Sequence, residues 1–320
     1  MNSNRLLIVG VTTRSSGIGG VSIHTERLVE NLNRKGIPFD FIDYRNESIV
    51  NLIVHILRHK VIHIHPSNPL FRLFLVCFSK IFRKIVVFTV HGNLGRFSRV
   101  KNYIDRLAVC WCDVPILINK DSYEKAIRWN VNSKLISAYI PPVDDGYIPQ
   151  YVSEKLDSAR LDNKKIVCTN ASARTFTSDG CEIYGIDFLI NYFSLRSEYY
   201  LCISDPSGQY YALYKNRGFK NVLFIIEQHS FYAVMKQSDL MIRATATDGD
   251  SLSIREGIDL KIKVIATDCV SRPEGVILFK YGDESSLEQS LNCEHISKNI
   301  GNKSVVEQLI YIYKDLNISC

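Results

Sequence analysis

No run in this 320-residue chain approaches the roughly 18 consecutive apolar residues that a membrane-spanning helix needs; the longest beside a helical pattern covers only residues 73–78. A helix crossing a bilayer is thereby excluded. Cysteine is present without pattern: nine residues, an odd number, with Cys110 and Cys112 the nearest pair and no metal-ligand spacing anywhere. A disulfide scaffold is excluded, and the thiols fit a reducing compartment. Internal repeats and low-complexity tracts are lacking too, and 46% hydrophobic residues, 22% charged residues, 17 Gly and 9 Pro exclude disorder and collagen. Nor does a cleavage site follow the opening MNSNRLLIVG, so the start reads as a first β-strand of a cytoplasmic chain, not a signal peptide. With a usual domain length of roughly 150 residues, two domains are expected.

Acid is missing altogether between residues 51 and 100, which hold eight Lys and Arg. Residues 1–150 carry a net charge of +9 and the remainder −3. Basic residues interleaved with Phe71, Phe74, Phe78 and Phe82 can mark nucleic-acid binding. Lys80, Arg83 and Lys84, however, fall at helical spacing beside a Leu/Phe stripe. That suits the solvated edge of a packed helix, or a helix lying on anionic headgroups, better than nucleic acid, which is not expected as a partner.

Apolar, β-branched runs over residues 6–11, 39–42, 61–65, 85–90, 114–118 and 135–140 alternate with helical patterns such as Val21, Leu28, Leu32 and residues 49–57. The series breaks at Pro141-Pro142-Val143-Asp144-Asp145-Gly146, and polar residues 153–163 read as a linker. A second series covers residues 165–169, 200–203, 222–226, 240–242, 264–266 and 276–279. Strands alternating with helices specify parallel sheets covered on both faces. The expected fold class is α/β: two doubly wound Rossmann-like domains, residues 1–150 and 151–320, facing a cleft at the strand C-termini, where such sheets bind ligands. The last helix could pack back on the N-terminal domain.

Three motifs fall at strand ends. Gly17-Ile18-Gly19-Gly20 follows the first strand and precedes a helix, so its backbone can approach an anion or sugar hydroxyl, or simply make a tight turn. Ser22 stands where a dinucleotide fingerprint needs its third glycine, which argues against NAD. His91-Gly92 follows residues 85–90 and could donate to a sugar hydroxyl, or cap the strand as a satisfied buried histidine. His63 and His65 share one strand face without an acid or thiol at ligand spacing, so no metal is expected there. The richest stretch is TDGDSLSIREG, residues 247–257, which opens a helix capped by Asp250 or Ser251. The N–H groups of Ser251, Leu252 and Ser253 would face a phosphate. Glu256 lies about 7.5 Å further at 1.5 Å per residue, a plausible span from a diphosphate to the ribose of one nucleotide.

Asp248-x7-Glu256, followed by Lys263-Val264-Ile265-Ala266-Thr267-Asp268, resembles the E-x7-E region of retaining glycosyltransferases of family 4. The likeness extends to Gly19-Gly20-Val21, Thr89-Val90-His91-Gly92, Ile140-Pro141-Pro142-Val143-Asp144 and the helix around Gly185, in the right order over most of the chain. It implies the GT-B fold and transfer of a sugar, with retention, from a nucleotide-sugar donor to a glycan or lipid-linked acceptor. Surface polysaccharide biosynthesis at the inner face of a membrane would be the setting, with no metal and no cofactor beyond the donor substrate. It also implies that Gly19 and Gly20 approach the diphosphate and acceptor, that His91 touches the transferred sugar, and that Asp248 stands beside it where the family usually has Glu. Glu256 would take the ribose, and Arg174 would stabilise the departing diphosphate.

One family cation is missing, because Tyr184 precedes Gly185 where a Lys is usual; Arg243 is the expected substitute, unless it is an ordinary strand-end Arg. Asp248-Gly249-Asp250 also spells the D-x-D of metal-dependent transferases, but it sits at a helix start deep in a second domain. The alternative from another class is a non-catalytic partner subunit that binds a nucleotide sugar or glycan with the same fold.

Overall fold

The computed structural model describes residues 3–16, 19–248, 251–294, 304–316 and 318. The first part of the chain runs β1 (Ser3–Gly10), α1 (Thr13–Ser16), α2 (Gly20–Arg34), β2 (Phe39–Asp43), α3 (Ile49–Arg58), β3 (His59–Ile64), α4 (Pro69–Ile81), β4 (Ile85–Val90), α5 (Arg99–Trp111), β5 (Val114–Leu117), α6 (Lys120–Ala126) and β6 (Lys134–Leu135). The second runs α7 (Gln150–Leu161), β7 (Lys165–Asn170), α8 (Ile186–Phe193), β8 (Tyr199–Ser204), α9 (Gln209–Tyr214), β9 (Val222–Ile225), α10 (Phe231–Lys236), β10 (Leu240–Arg243), α11 (Leu252–Asp259), β11 (Lys263–Thr267), β12 (Ile277–Phe279) and α12 (Glu284–Asn292); α13 (Val305–Asp315) follows. Each series forms one six-stranded parallel sheet, in the orders β2-β1-β3-β4-β5-β6 and β12-β11-β10-β7-β8-β9. The fold is α/β and doubly wound twice over.

The burial of β1 shows why. Leu6, Leu7, Ile8 and Val9 are all fully buried, as a parallel strand with helices on both faces requires. Successive residues point to opposite faces. Leu7 and Val9 therefore join Leu52, Ile56, Leu75 and Val76 in one core. Leu6 and Ile8 join Leu28, Leu32, Val306, Leu309 and Tyr313 in the other. The chain's last described helix, α13, thus completes a face of the first sheet.

The chain divides into two compact units, residues 1–143 with 301–320, and residues 144–300. The boundary falls between Val143 and Asp144 and not at 150, because Asp145 is already tied into the second unit by Lys236 at 2.6 Å. Residues 153–163, expected as a linker, instead belong largely to α7, which buries Val152, Leu156 and Ala159 along one face. Their i, i+4, i+7 spacing is helical, although polar residues outnumber them. Of the run 135–140 only Leu135 is strand. Its later carbonyls are taken by side chains of α2: Ala138 O by His24 Nδ1 at 2.7 Å, Ile140 O by Arg27 at 3.1 Å and Pro141 O by Asn31 at 3.4 Å. Backbone acceptors satisfied this way need no sheet partner.

Candidate functional site

In the second unit the polar side chains gather where β7, β10 and β11 end, the edge at which parallel sheets bind ligands. Arg243 is the last residue of β10. Its Nη1 donates to Asn170 O at 3.3 Å and Oδ1 at 3.2 Å, and its Nε and Nη2 reach the two oxygens of Asp248 at 3.2 and 3.3 Å. Its guanidinium lies 5.2 Å from the ring centre of Tyr184, the residue that stands in place of the expected Lys. Tyr184 in turn exchanges a 2.7 Å hydrogen bond with Ser172. Arg243, expected as the substitute for that Lys, is thus supported on the side chain that stands in its place.

Arg272 was not anticipated. It donates to Asp248 Oδ2 at 2.8 Å, to Thr267 O at 3.0 Å and to Thr245 Oγ1 at 3.2 Å, and its side chain is only 2% exposed. Burial by itself would raise the Asp248 carboxyl, but Arg243 and Arg272 hold it below the usual carboxylate range. Asp248 is therefore turned onto two guanidiniums. No sequence signal marks Arg272, which sits in the loop after β11.

Arg174 pairs with Asp187 at 2.8 Å and lies over Phe176 at 4.7 Å, with its side chain about one-third exposed. A second unanticipated acid, Glu182, caps α8: its carboxylate accepts from Ile186 N and Asp187 N, both at 3.0 Å, and from the Tyr210 hydroxyl. That carboxylate closes the start of α8, whereas Ser251 makes no side-chain cap hydrogen bond at the start of α11 among the described residues. Gly185 precedes α8 at φ +63°, and any Cβ there would meet the carbonyl oxygen of Ala244.

Ser251 is the N-cap of α11, and its Oγ lies 3.0 Å from that of Ser253. Leu252 and Ser253 form the first turn, and Glu256 is buried one turn on. Gly249 and Asp250, the rest of the D-x-D reading, lie outside the described residues, as do Gly17 and Ile18.

In the first unit Gly19 is the N-cap of α2, its N–H donating to Ser22 Oγ at 3.1 Å. A Cβ on Gly20 would meet nothing within 4 Å, so no neighbouring side chain demands glycine there. His91 is 7% exposed, and its Nε2 lies 3.0 Å from His65 Nδ1. It is therefore a buried member of a histidine group that also contains His24 and His63, and not a side chain projecting from the strand end. Burial, with nearby His24, His63, Arg72 and Arg96, pushes it well below the ordinary histidine value and keeps it neutral.

The basic helix also differs from expectation. Lys84 is buried, its ammonium donating to Leu57 O at 2.6 Å at the end of α3. Lys80 pairs with Asp113 at 2.7 Å, and Asp113 also accepts from Val86 N. Only Arg83 of the three is fully exposed, beside exposed Ile81 and Phe82. Among the described residues no helix is long and apolar enough to cross a membrane.

No protein-family model and no curated protein matches the chain. Solved structures do. HepE of Anabaena, in a complex with UDP, aligns at a TM-score of 0.66 and 14% identity over 97% of this chain and 95% of its own. Sucrose-phosphate synthase of Thermosynechococcus elongatus aligns at 0.67 and 14% over 98% of each. UDP-GlcNAc 2-epimerase of Methanocaldococcus jannaschii aligns at 0.61 and 12% over 97% and 99%. At such identities the likeness is one of fold: two Rossmann-like α/β domains of the GT-B type.

Proposed function

We propose that the protein is a retaining glycosyltransferase that takes its nucleotide-sugar donor on the second unit. One observation carries this reading: two guanidiniums converge on Asp248, and Arg243, the more exposed of them, stands at the strand ends where it can meet an anion. A fixed cation at the strand ends is what a diphosphate requires. Arg174, paired with Asp187 and about one-third exposed, would add a second guanidinium, and Glu256 would accept from the ribose hydroxyls. HepE, with the same fold, binds UDP, which supports a uridine nucleotide as the first probe.

In the reaction the bond from the anomeric carbon to the diphosphate oxygen breaks while the acceptor oxygen bonds to that carbon from the same face. The acceptor's proton passes to the leaving diphosphate. Arg243 and Arg174 stabilise the negative charge that develops there, and such preorganised charge does the work a divalent ion would otherwise do. The first unit, through Gly19 and Gly20, takes the acceptor, a glycan or a lipid-linked glycan of a surface polysaccharide. His91, held by His65, stays outside this set.

A second reading, conversion of the sugar nucleotide without an acceptor, is favoured by the epimerase of the same fold. Incubation with a panel of UDP-sugars, with and without glycan acceptors, separates the readings. The transferase releases UDP and forms an α-linked product from an α-linked donor, in EDTA as well as without it. A changed sugar on intact donor would establish the epimerase; neither product together with retained UDP binding would leave a non-catalytic partner subunit.

A further inference from the structure

Three buried histidines converge at the C-terminal edge of the first sheet, on the opposite unit from the donor residues. His24 comes from α2, His65 directly follows β3 and His91 directly follows the neighbouring strand β4. Their ring centres lie 4.9 to 5.4 Å apart. One nitrogen from each lies within 4.8 Å of those from the other two.

The hydrogen bonds show which nitrogens are spare. His24 Nδ1 faces the carbonyl oxygen of Ala138 at 2.7 Å, and a carbonyl can only accept, so the ring carries its proton there. Nε2 of His24 then presents a lone pair, and it is buried without a partner. His65 and His91 share one proton across 3.0 Å, and Nε2 of His65 is likewise buried without a partner. Native interiors rarely leave such atoms unsatisfied, and two in one cluster point to a ligand. His63, its ring tilted against His65 at 4.1 Å between centres, behaves differently: its nitrogens are occupied by the Tyr313 hydroxyl at 2.7 Å and Thr89 Oγ1 at 2.8 Å.

We propose that His24, His65 and His91 bind one divalent transition-metal ion, with Zn²⁺ the best match to three neutral imidazoles and an open fourth position. Zn–N bonds of about 2.0–2.1 Å place tetrahedral ligand atoms about 3.3 Å apart, so the set needs only a modest closing of side chains. The Nδ1–H of His24 on Ala138 O is the outer hydrogen bond that fixes a ligating tautomer. Burial lowers His24 to about 4 and His65 and His91 well below their ordinary value, so the three rings are neutral at neutral pH and binding has only the proton shared by His65 and His91 to displace. The other group within ligand distance among the described residues, Asp40, His55 and His59, has one spare nitrogen, Nδ1 of His55, the rest being an internal network. His59 spends both nitrogens on His55 O and Asp40, and Arg5 holds Asp40 at 3.0 Å.

The site is independent of the donor reading, and its test uses no sugar nucleotide. The full chain, stripped with chelator, is titrated with Zn²⁺ by calorimetry and with Co²⁺ by visible absorption. One ion per chain, an intense Co²⁺ ligand-field band and a Zn²⁺-dependent rise in melting temperature are expected. His24→Leu and His65→Leu should each weaken binding by more than about 100-fold, beyond what loss of an outer-shell partner costs, and abolish the band, whereas His59→Leu should not. Absence of the band and of the melting shift in the unaltered chain would overturn the proposal even if a variant failed to fold. Equal Zn²⁺ binding by folded His24→Leu and His65→Leu would also overturn it, assigning the ion to thiols or to the Asp40 group.

Discussion

Arg243 grips Asp248 through two nitrogens, at 3.2 and 3.3 Å, from the end of β10, while Arg272 holds the same carboxylate from the opposite loop at 2.8 Å. Two positive groups on one negative group leave an excess charge, and the exposures decide which group carries it outward. The Arg272 side chain is 2% exposed and bonded on every side to the protein, whereas that of Arg243 is 12% exposed. Arg272 is thus a positioning residue and Arg243 the group that can meet an anion.

Arg243→Gln should weaken UDP binding by about 10- to 100-fold, the loss of one charge-assisted contact of about 1.5–3 kcal/mol. Arg272→Gln should weaken it less and lower the stability of the second unit more, since it leaves a buried carboxylate half-compensated. Calorimetry with UDP and melting curves measure the two effects separately. Unaltered UDP affinity in Arg243→Gln would remove that residue from the donor site.

Glu256 can be tested through the sugar it is meant to hold. The unaltered protein should bind UDP more tightly than its 2′-deoxy analogue, and Glu256→Ala should bind the two alike, with turnover lowered by well over tenfold. The comparison of two proteins with two ligands isolates the contact from any general damage. Preserved discrimination in Glu256→Ala would place the ribose elsewhere.

The periodicities of the sequence carried the strands and their order because buried parallel strands are continuous apolar runs, as residues 85–90 illustrate. They failed past residue 136, where Ala138 and Ile140 are buried but their carbonyls bond to His24 and Arg27 instead of a strand. Nothing local announces that exchange. The acid-x7-acid spacing located α11, but Arg272 and the His24 contribution act across 24 and 114 positions, through Asp248 and Ala138. Partners brought together only by tertiary folding leave no spacing to read. His63 and His65 could be placed on one face by alternation, yet their joining with His24 depends on how α2 packs.

Gly185→Ala should be strongly destabilising although it adds a single methyl group. The residue sits at φ +63°, and the new Cβ would press on the Ala244 carbonyl, which is backbone and cannot swing aside. A left-handed non-glycine residue alone costs about 1 kcal/mol or more, and the collision adds to it. Denaturant unfolding should show a loss of at least about 2 kcal/mol, and a loss below about 0.5 kcal/mol would contradict the described turn.

Acid should destabilise the first unit earlier than carboxylate chemistry would. Burial lowers His24 to about 4 and His63 to about 3, from an unfolded value near 6.5. Between those values the unfolded chain holds protons that the folded chain refuses, so stability falls as pH drops below about 6.5 and levels only below about 3. For His24 alone the loss is about 3 kcal/mol. Urea unfolding in EDTA between pH 7.5 and pH 4.5 should show this slope, and His24→Leu should flatten it. Constant stability over that interval would mean the imidazoles are not neutral in the fold.

The buried state of Lys84 separates two roles that its sequence neighbours suggest are one. Its ammonium lies on Leu57 O at 2.6 Å, so Lys84→Gln should cost about 1–3 kcal/mol of stability and leave recovery on anionic vesicles unchanged. Arg83→Glu should do the reverse if the Ile81–Phe82 end of α4 docks on headgroups, since each basic residue near such a surface contributes about 1 kcal/mol and reversing one lowers recovery at least about fivefold. Flotation with neutral and anionic vesicles, alongside melting curves for both variants, reads the two quantities independently. Equal recovery of the unaltered protein on both vesicle types would remove the membrane from its function and leave Arg83 as a solvated edge.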